Sequence, residues 1–255
     1  MDRRDFLLKS ATLLAGSLCG LTGFSKAFAS EGTFYPPRIA LIIDDIGYSL
    51  SRARQFLDLR VPMTFSILPW LSHSRDLATE IHDKGYEIML HQPMEPYRPD
   101  LDPGPGALYV GDEAEKISRI IDENILAVPF ASGVNNHMGS KFTESRKEIG
   151  EALSVIGKNN LFFVDSVTSN RSKAYKTAKF LHMSAASRNI FLDNVPKESA
   201  ILLQLRKLMR HARKYGRAIG IGHPHPETAR AIAQLSQGLE DSEISLVHVS
   251  RLLTP

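Results

Sequence analysis

The chain has 255 residues, of which 43% are hydrophobic and 23% charged, with 17 Gly and 14 Pro. This composition is that of an ordinary globular protein, and it excludes collagen-like, disordered and coiled-coil proteins. Because 31 Lys and Arg residues stand against 28 Asp and Glu residues, the formal charge is only +3. No basic stripe of the kind that nucleic-acid binding needs is present, so we expect no nucleic-acid partner.

The N-terminal segment has the features of an export signal. Arg3 and Arg4 precede an apolar stretch over residues 11–24, which is too short to span a bilayer of about 30 Å with margin. Ala27 and Ala29 then form a small-x-small cleavage site. The Arg-Arg-x-Phe-Leu pattern resembles a bacterial twin-arginine signal, and an amphipathic N-terminal helix is the alternative.

These features divide the chain into a twin-arginine-type export signal over residues 1–29, a linker over 30–37 and a single domain over 38–255. We expect a periplasmic or secreted protein with no stable membrane anchor after signal cleavage. The only cysteine, Cys19, lies in the signal, so the mature domain contains no disulfide.

From residue 38 onward, short apolar runs alternate with longer amphipathic segments. The runs predict strands over residues 39–43, 63–68, 86–90, 131–134, 161–164, 190–192, 218–221 and 244–249. The amphipathic segments predict helices over residues 50–59, 72–84, 112–126, 144–158, 173–181, 197–215 and 227–239. This alternation indicates parallel strands joined by right-handed crossovers, either closed into a barrel or laid out as an open sheet.

Polar side chains at strand ends favour the barrel. They come from six different predicted strands and are Asp44, Asp45, His91, His137, Asp165, Asp193 and His223. In a barrel the carboxyl ends of the strands converge on one face, whereas an open sheet would spread most of these residues too far apart to meet. We therefore predict an α/β fold with a barrel of seven or eight mainly parallel strands.

The pair Asp44-Asp45 is the first chemical signal. Two adjacent carboxylates cannot both be buried and ionised without a nearby cation, because like charges disfavour each other's ionisation. A divalent metal would resolve this conflict. The alternative is a solvated turn in which one aspartate caps a helix.

Two strand-end histidines extend this signal. His91 follows a predicted strand directly, and His137 lies in the polar loop Asn135-Asn136-His137. One carboxylate with two imidazoles is a common ligand set for zinc that leaves a position open for water. The alternative for each histidine is a structural role within the core.

The segment Gly222-His223-Pro224-His225-Pro226 is the third signal. Glycine allows close backbone approach, and the prolines restrict the turn that carries both imidazoles. The alternative is a rigid strand-to-helix turn with both histidines in solvent.

Four aromatic residues lie in or near loops at the same predicted face, where they could stack on sugar rings or serve as ordinary packing residues. They are Tyr48, Trp70, Tyr97 and Tyr109.

Four segments of the chain together resemble the divergent polysaccharide deacetylase family. They are the Asp44-Asp45 strand end, the His91 motif, the Phe163-Val164-Asp165-Ser166 strand end and the Gly222-His223-Pro224-His225 turn. The resemblance covers the chain from Arg38 onward. It implies a distorted (β/α) barrel and metal-dependent hydrolysis of acetylated carbohydrate.

The resemblance also implies roles for single residues. Asp44 takes the place of the general base, Asp45 that of the metal-binding carboxylate, and His91 that of the first metal histidine. His223 matches the late histidine that acts as general acid, with Asp165 as a candidate to orient it.

One position departs from the pattern of the ordinary deacetylases. Their second metal histidine follows four residues after the first, where this chain has Glu95. Either His137 supplies the missing ligand from a neighbouring loop or Glu95 binds the metal itself. Asn136 and His225 are further candidate site residues.

These observations leave two functions open. The first is a carbohydrate deacetylase that binds a divalent metal, with zinc expected, and acts on envelope or extracellular glycan. The second is a non-catalytic periplasmic protein that uses a degenerate site to bind glycan or a cell-wall enzyme, an alternative that Glu95 favours.

Overall fold

The computed structural model describes residues 36–239 and 242–253. The predicted export signal and most of the linker lie outside these residues. From Pro36 onward the chain forms one compact unit. None of the helices among the described residues has the length and apolar character that crossing a membrane requires.

Strands and helices alternate through the described part of the chain. The strands are β1 (Arg38–Ile46), β2 (Thr64–Ile67), β3 (Glu87–Met94), β4 (Ala131–Met138), β5 (Phe162–Asp165), β6 (Ala185–Ser187), β7 (Ile190–Phe191), β8 (Arg217–Gly222) and β9 (Ser245–Leu246). The helices are α1 (Leu50–Leu57), α2 (Ser74–Asp83), α3 (Ala114–Ala127), α4 (Arg146–Lys158), α5 (Ala174–Phe180), α6 (Glu198–Tyr215) and α7 (Pro226–Leu239), with 3₁₀ turns at Phe142–Glu144 and Val249–Leu252.

All neighbouring strands are parallel, and the sheet has the order β6-β5-β4-β3-β2-β1-β8-β7, with β9 added beside the start of β1. The sheet curves into an incomplete barrel in which β6 and β7 form the two edges. The predicted distorted barrel of parallel strands is therefore confirmed. The sequence analysis missed β6, a strand of three residues.

Alternation along each strand separates two apolar layers. On β1, Ile39, Leu41 and Ile43 pack in the large core between sheet and helices. Ala40 and Ile42 face the other way, into a smaller cluster that the second 3₁₀ turn joins through Val249 and Leu252. Since successive side chains of a strand point to opposite faces, every second residue enters the barrel.

Candidate metal centre

The barrel interior becomes polar at the carboxyl ends of the strands. The interior face continues from Ile42 to Asp44 on β1, from Met89 to His91 on β3 and from Ile221 to His223 after β8. Asp44 and His91 are each only 2% exposed. The strand register therefore places these three polar side chains in one pocket above the apolar cluster.

Asp45 joins Asp44 in this pocket because β1 is irregular there. In a regular strand the two neighbours would point to opposite faces. The register of β1 with β2 shifts between Ile43 and Ile46, and Asp45 has a left-handed backbone with φ of +56°. This β-bulge re-aims the second carboxylate, which is a common use of bulges near functional sites.

Asp45, His91 and His137 bring three ligand atoms to one point. Asp45 Oδ1 lies 3.2 Å from His91 Nε2 and 3.0 Å from His137 Nδ1. The two imidazole nitrogens are 3.1 Å apart. Ligands held about 2.0–2.1 Å from a tetrahedral zinc ion are about 3.3 Å apart, so this triangle has nearly the size that a bound ion requires.

Asn135 determines which nitrogen of His91 faces the triangle. Its Nδ2 donates to Asp44 Oδ1 at 2.8 Å, which leaves its Oδ1 to accept from His91 Nδ1 at 2.7 Å and from the Ser66 hydroxyl. Because a carboxylate and an amide oxygen only accept, His91 Nδ1 must carry a proton. The other ring nitrogen, His91 Nε2, therefore faces Asp45 and His137.

This arrangement fits a metal ion better than a hydrogen-bonded cluster. Within the described residues Asp45 Oδ1 is buried and makes no hydrogen bond, although two ring nitrogens lie close to it. A cation at the centre would accept a lone pair from all three atoms at once. Fixing a ligand histidine through its other ring nitrogen is also typical of metal sites.

His223 lies on the opposite side of the pocket, and Asp193 holds it. Its backbone N–H donates to Asp193 Oδ2 at 2.6 Å, and its ring Nδ1 lies 2.9 Å from Asp193 Oδ1. A Cβ added at Gly222 would lie 3.2 Å from Asp193 Oδ2, so glycine permits this close approach. The other ring nitrogen, His223 Nε2, is 4.0 Å from Asp45 Oδ2 and faces the triangle.

Two residues that the sequence analysis did not single out support the His223 ring. Phe191 lies nearly parallel to it, with ring centroids 6.0 Å apart. The Arg188 guanidinium lies 3.8 Å above the Phe191 ring and donates to the backbone carbonyl groups of Ser166 and Val167. The edge of the barrel near β7 is thereby fixed to the end of β5.

The pocket opens to a cavity of about 640 Å³ whose lining includes Asp45, Tyr48, Asp193, His223 and His225. Its volume lies in the range of small-molecule sites, and the polar groups converge on one wall.

The two aspartates have opposite pKa shifts. Burial raises the pKa of Asp44, and the nearby His91 and His223 only partly offset this effect. Burial also raises the pKa of Asp45, but contacts with His137 and His91 outweigh it and hold the pKa well below its ordinary value. Opposite shifts in neighbouring carboxylates are typical of residues with different chemical roles.

Burial lowers the pKa of His223, but its hydrogen bond to Asp193 and the negative charges of Asp193, Asp44 and Asp45 raise it to about 9. A pKa of this size keeps the imidazole protonated at neutral pH, so the ring can act as a proton donor.

The structure corrects two predicted site residues. Asp165 does not orient His223, since it accepts from Ser172 Oγ and from the backbone N–H groups of Val167 and Tyr175. Asn136 likewise bonds backbone groups outside the pocket, namely Met138 O and Ser166 N–H. Both have the strand parity that points away from the barrel interior, and Asp193 and Asn135 occupy the inward positions instead.

Glu95 is also directed away from the triangle. Its side chain accepts from Lys141 Nζ at 2.6 Å and from the Val110 backbone N–H at 2.8 Å. Its backbone carbonyl accepts from the N–H groups of Lys141 and Phe142. Glu95 therefore joins two loops, and of the two alternatives for the missing ligand the geometry favours His137.

A second set of ligand atoms, from Asp193, His223 and His225, also lies within 4.8 Å of one another. It differs from the first because both oxygens of Asp193 already accept hydrogen bonds, from His223 and from Thr228 Oγ1. In the set formed by Asp45, His91 and His137, by contrast, Asp45 Oδ1 has no hydrogen-bond donor in the described residues.

The chain belongs to the divergent polysaccharide deacetylase family, whose sequence profile it matches over residues 41–253. It is 33% identical to uncharacterized protein YibQ of Escherichia coli (strain K12) in an alignment of 240 residues that covers 90% of this chain and 72% of that protein. Family membership and the fold it implies are thus confirmed.

Two solved structures resemble the fold. The crystal structure of uncharacterized protein ATU2773 from Agrobacterium tumefaciens C58 has a TM-score of 0.81 at 27% identity, covering 85% of this chain and 89% of that chain. The CE4 family pseudoenzyme BA3943 from Bacillus anthracis has a TM-score of 0.51 at 14% identity, covering 85% of this chain and 65% of that chain. The second likeness concerns the fold alone.

The geometry leads to a prediction about metal binding. Changing His137 to Ala should weaken zinc binding at least about 100-fold, because it removes a ligand, whereas changing Glu95 to Gln should leave it nearly unchanged. Calorimetric titration of metal-free protein with zinc measures both. His82→Ala, at the opposite end of the barrel, is the control. Loss of zinc binding in Glu95→Gln with retention in His137→Ala would reverse the ligand assignment.

A second prediction concerns Asp193. Changing it to Asn should lower the pKa of His223 from about 9, because the variant removes the negative charge that stabilises the imidazolium. This ion pair stabilises the fold fully below the ordinary histidine pKa of about 6.5 and loses its effect as pH rises through the folded-state pKa. NMR titration of the metal-free protein measures the shift. A pKa of His223 that is equal in both proteins would contradict this account.

Proposed function

We propose that the chain is a metal-dependent hydrolase that removes acetyl groups from envelope or extracellular carbohydrate. The observation that carries the proposal is the triangle of Asp45, His91 and His137, with Asp44 beside it and His223 across the pocket. A binding surface alone gives no reason for these charged and polar groups to converge in a buried pocket.

Zinc is the ion that this ligand set favours, since two imidazoles and one carboxylate with an open position are typical of catalytic zinc. When bound there, the ion would supply Lewis-acid activation of a carbonyl group and of water.

Asp44 is placed to act as the general base. Asn135 holds its Oδ1, and its Oδ2 lies 3.6 Å from His91 Nε2, next to the triangle. Burial raises the pKa of Asp44 above its ordinary value, which makes the carboxylate a stronger base. Asp44 would take the proton from the attacking water.

His223 is placed to act as the general acid. Asp193 fixes the ring through Nδ1 and leaves Nε2 directed into the cavity. The protonated Nε2 would give its proton to the leaving amine or alcohol as the acyl bond breaks. This step balances the proton that Asp44 takes from water.

A second candidate function is non-catalytic binding of glycan or of a cell-wall enzyme. Glu95 favours it, because this chain lacks a histidine at the position where the ordinary deacetylases have their second metal ligand. BA3943, which shares the fold, is a pseudoenzyme, so the fold alone does not decide between the two functions. The position of His137 in the triangle supports the hydrolase instead.

Activity measurements separate the two functions. Asp44→Asn and His223→Ala should each reduce acetate release from acetylated chitin, peptidoglycan or xylan fragments by about 10²- to 10⁴-fold. The new amide oxygen of Asp44→Asn can still accept from Asn135, so zinc content should be retained. Glu87→Gln, at the opposite end of the barrel, is the control and should keep full activity. Glycan binding without acetate release in the unaltered protein would favour the second function.

We also propose export by the twin-arginine route, with residence in the periplasm or outside the cell. Replacing Arg3 and Arg4 by Lys should leave the precursor in the cytoplasm, whereas Lys9→Arg, in the same segment, should be exported normally. Fractionation of the producing cells followed by immunoblotting measures the distribution. Mature protein outside the cytoplasm in the double variant would contradict the twin-arginine route.

A further inference from the structure

Trp70 combines exposure with an unusual backbone conformation. It follows β2 by three residues, and 53% of its surface is exposed. Its φ is +65°, in the left-handed region that a bulky side chain rarely adopts. Such a conformation persists only where the surroundings enforce it, and such residues are concentrated at functional sites.

The described residues other than glycine that have a positive φ fall into two groups. Four lie between the end of a helix and the next strand, where a left-handed residue commonly terminates a helix, and these are Arg60, Phe130, Asn160 and His182. The other four lie at the carboxyl ends of strands, on the face of the candidate metal centre, and these are Asp45, Trp70, Met138 and Val167. Trp70 therefore belongs with Asp45 and not with the helix ends.

A buried amide network fixes one edge of the Trp70 ring. Its Nε1 donates to Asn124 Oδ1 at 2.6 Å, and Asn124 is fully buried in α3. Asn124 Nδ2 donates in turn to Gln92 Oε1 at 2.9 Å and to Gly106 O at 2.8 Å. Gln92 directly follows His91 on β3. The indole is thus held relative to the candidate metal centre, and about half of the residue stays exposed.

The loop that carries Trp70 adjoins the cavity. In the sheet β2 lies between β1 and β3, the strands that carry Asp45 and His91. After β2, Leu71 and Ser74 pack on Gly47, where an added Cβ would lie 2.9 Å from Ser74 Oγ. The next residue, Tyr48, lines the cavity and is 64% exposed. The loop that carries Trp70 therefore packs against the segment that lines the cavity.

We propose that Trp70 is a stacking platform for a sugar ring of an oligosaccharide whose acetylated unit occupies the cavity. The inference rests on the proposed function and adds a second sugar-binding position, at Trp70, outside the cavity. The only polar atom of the indole ring is already bonded to Asn124, so the exposed face is apolar. A pyranose ring offers a flat face of weakly positive C–H groups, which suits the negative π face of an aromatic ring.

The test uses the fact that Trp70 is the only tryptophan of the chain. Intrinsic fluorescence of the zinc-loaded protein should change saturably on titration with the tetramer of N-acetylglucosamine or with acetylated xylotetraose, and not with the corresponding monosaccharides. Calorimetry with the same tetramers should show affinity roughly 2- to 10-fold weaker in Trp70→Ala and nearly unchanged in Trp70→Tyr, which keeps an aromatic face.

Phe130 provides the matched control. It is 52% exposed, has a φ of +66° and stacks on His82 at the opposite end of the barrel. Phe130→Ala should leave tetramer affinity unchanged. Equal tetramer affinity in Trp70→Ala and the unaltered protein would overturn the platform.

The outcomes distinguish this proposal from the proposed function. A fluorescence change without acetate release would support the role of Trp70 as a stacking platform and contradict the proposed hydrolase activity. Acetate release without a fluorescence change would support the proposed hydrolase activity and contradict the role of Trp70 as a stacking platform. If neither signal appears with either tetramer, both proposals fail. The fluorescence titration needs no variant, so it decides even if Trp70→Ala does not fold.

Discussion

The candidate site depends on one hydrogen-bonding constraint, which is that Asn135 can accept from His91 only because it donates to Asp44. This polarity places a proton on His91 Nδ1 and directs Nε2 at Asp45. His91 Nε2 and Asp45 Oδ1 then face each other at 3.2 Å, a contact that a positive charge at this point stabilises. The candidate metal site is thus oriented by an amide that supplies none of its three ligand atoms.

The fold supplies this constraint through strand register. His91 pairs with Asn135 across β3 and β4, and His137 lies two residues further on the same face of β4. The β-bulge in β1 adds Asp45 to the inward-facing Asp44. A parallel barrel can therefore gather ligands from three strands with a single local departure from regular geometry.

Much of this arrangement could be predicted from the sequence. Buried parallel strands appear as continuous apolar runs, and the polar residue after each run marks the end that carries the site, which identified Asp44, His91 and His223. Strand parity then decides which residues near a strand end point into the barrel. Counting alternate residues from Ile190–Phe191 places Asp193 inside the barrel, and the same count along β5 places Asp165 outside. That count would have given the role of orienting His223 to Asp193 instead of Asp165, and would have favoured Asn135 over Asn136.

Features that depend on contacts between distant parts of the chain could not be predicted from strand patterns. The turn of Glu95 towards Lys141 depends on a contact between residues 46 positions apart, and nothing in the local sequence indicates it. The strand β6 has three residues and is held by pairing with β5, so its own apolar pattern is too short to detect. The hydrogen bond that holds the Trp70 ring comes from Asn124, 54 positions further along the chain.

X-ray absorption and anomalous diffraction at the zinc edge, measured on crystals of the zinc-loaded domain, test the central claim most directly. The account predicts one ion about 2.0–2.2 Å from His91 Nε2, His137 Nδ1 and a carboxylate oxygen of Asp45. An ion bound instead by Asp193, His223 and His225, or crystals that take up no zinc at this position from a zinc-containing solution, would contradict it.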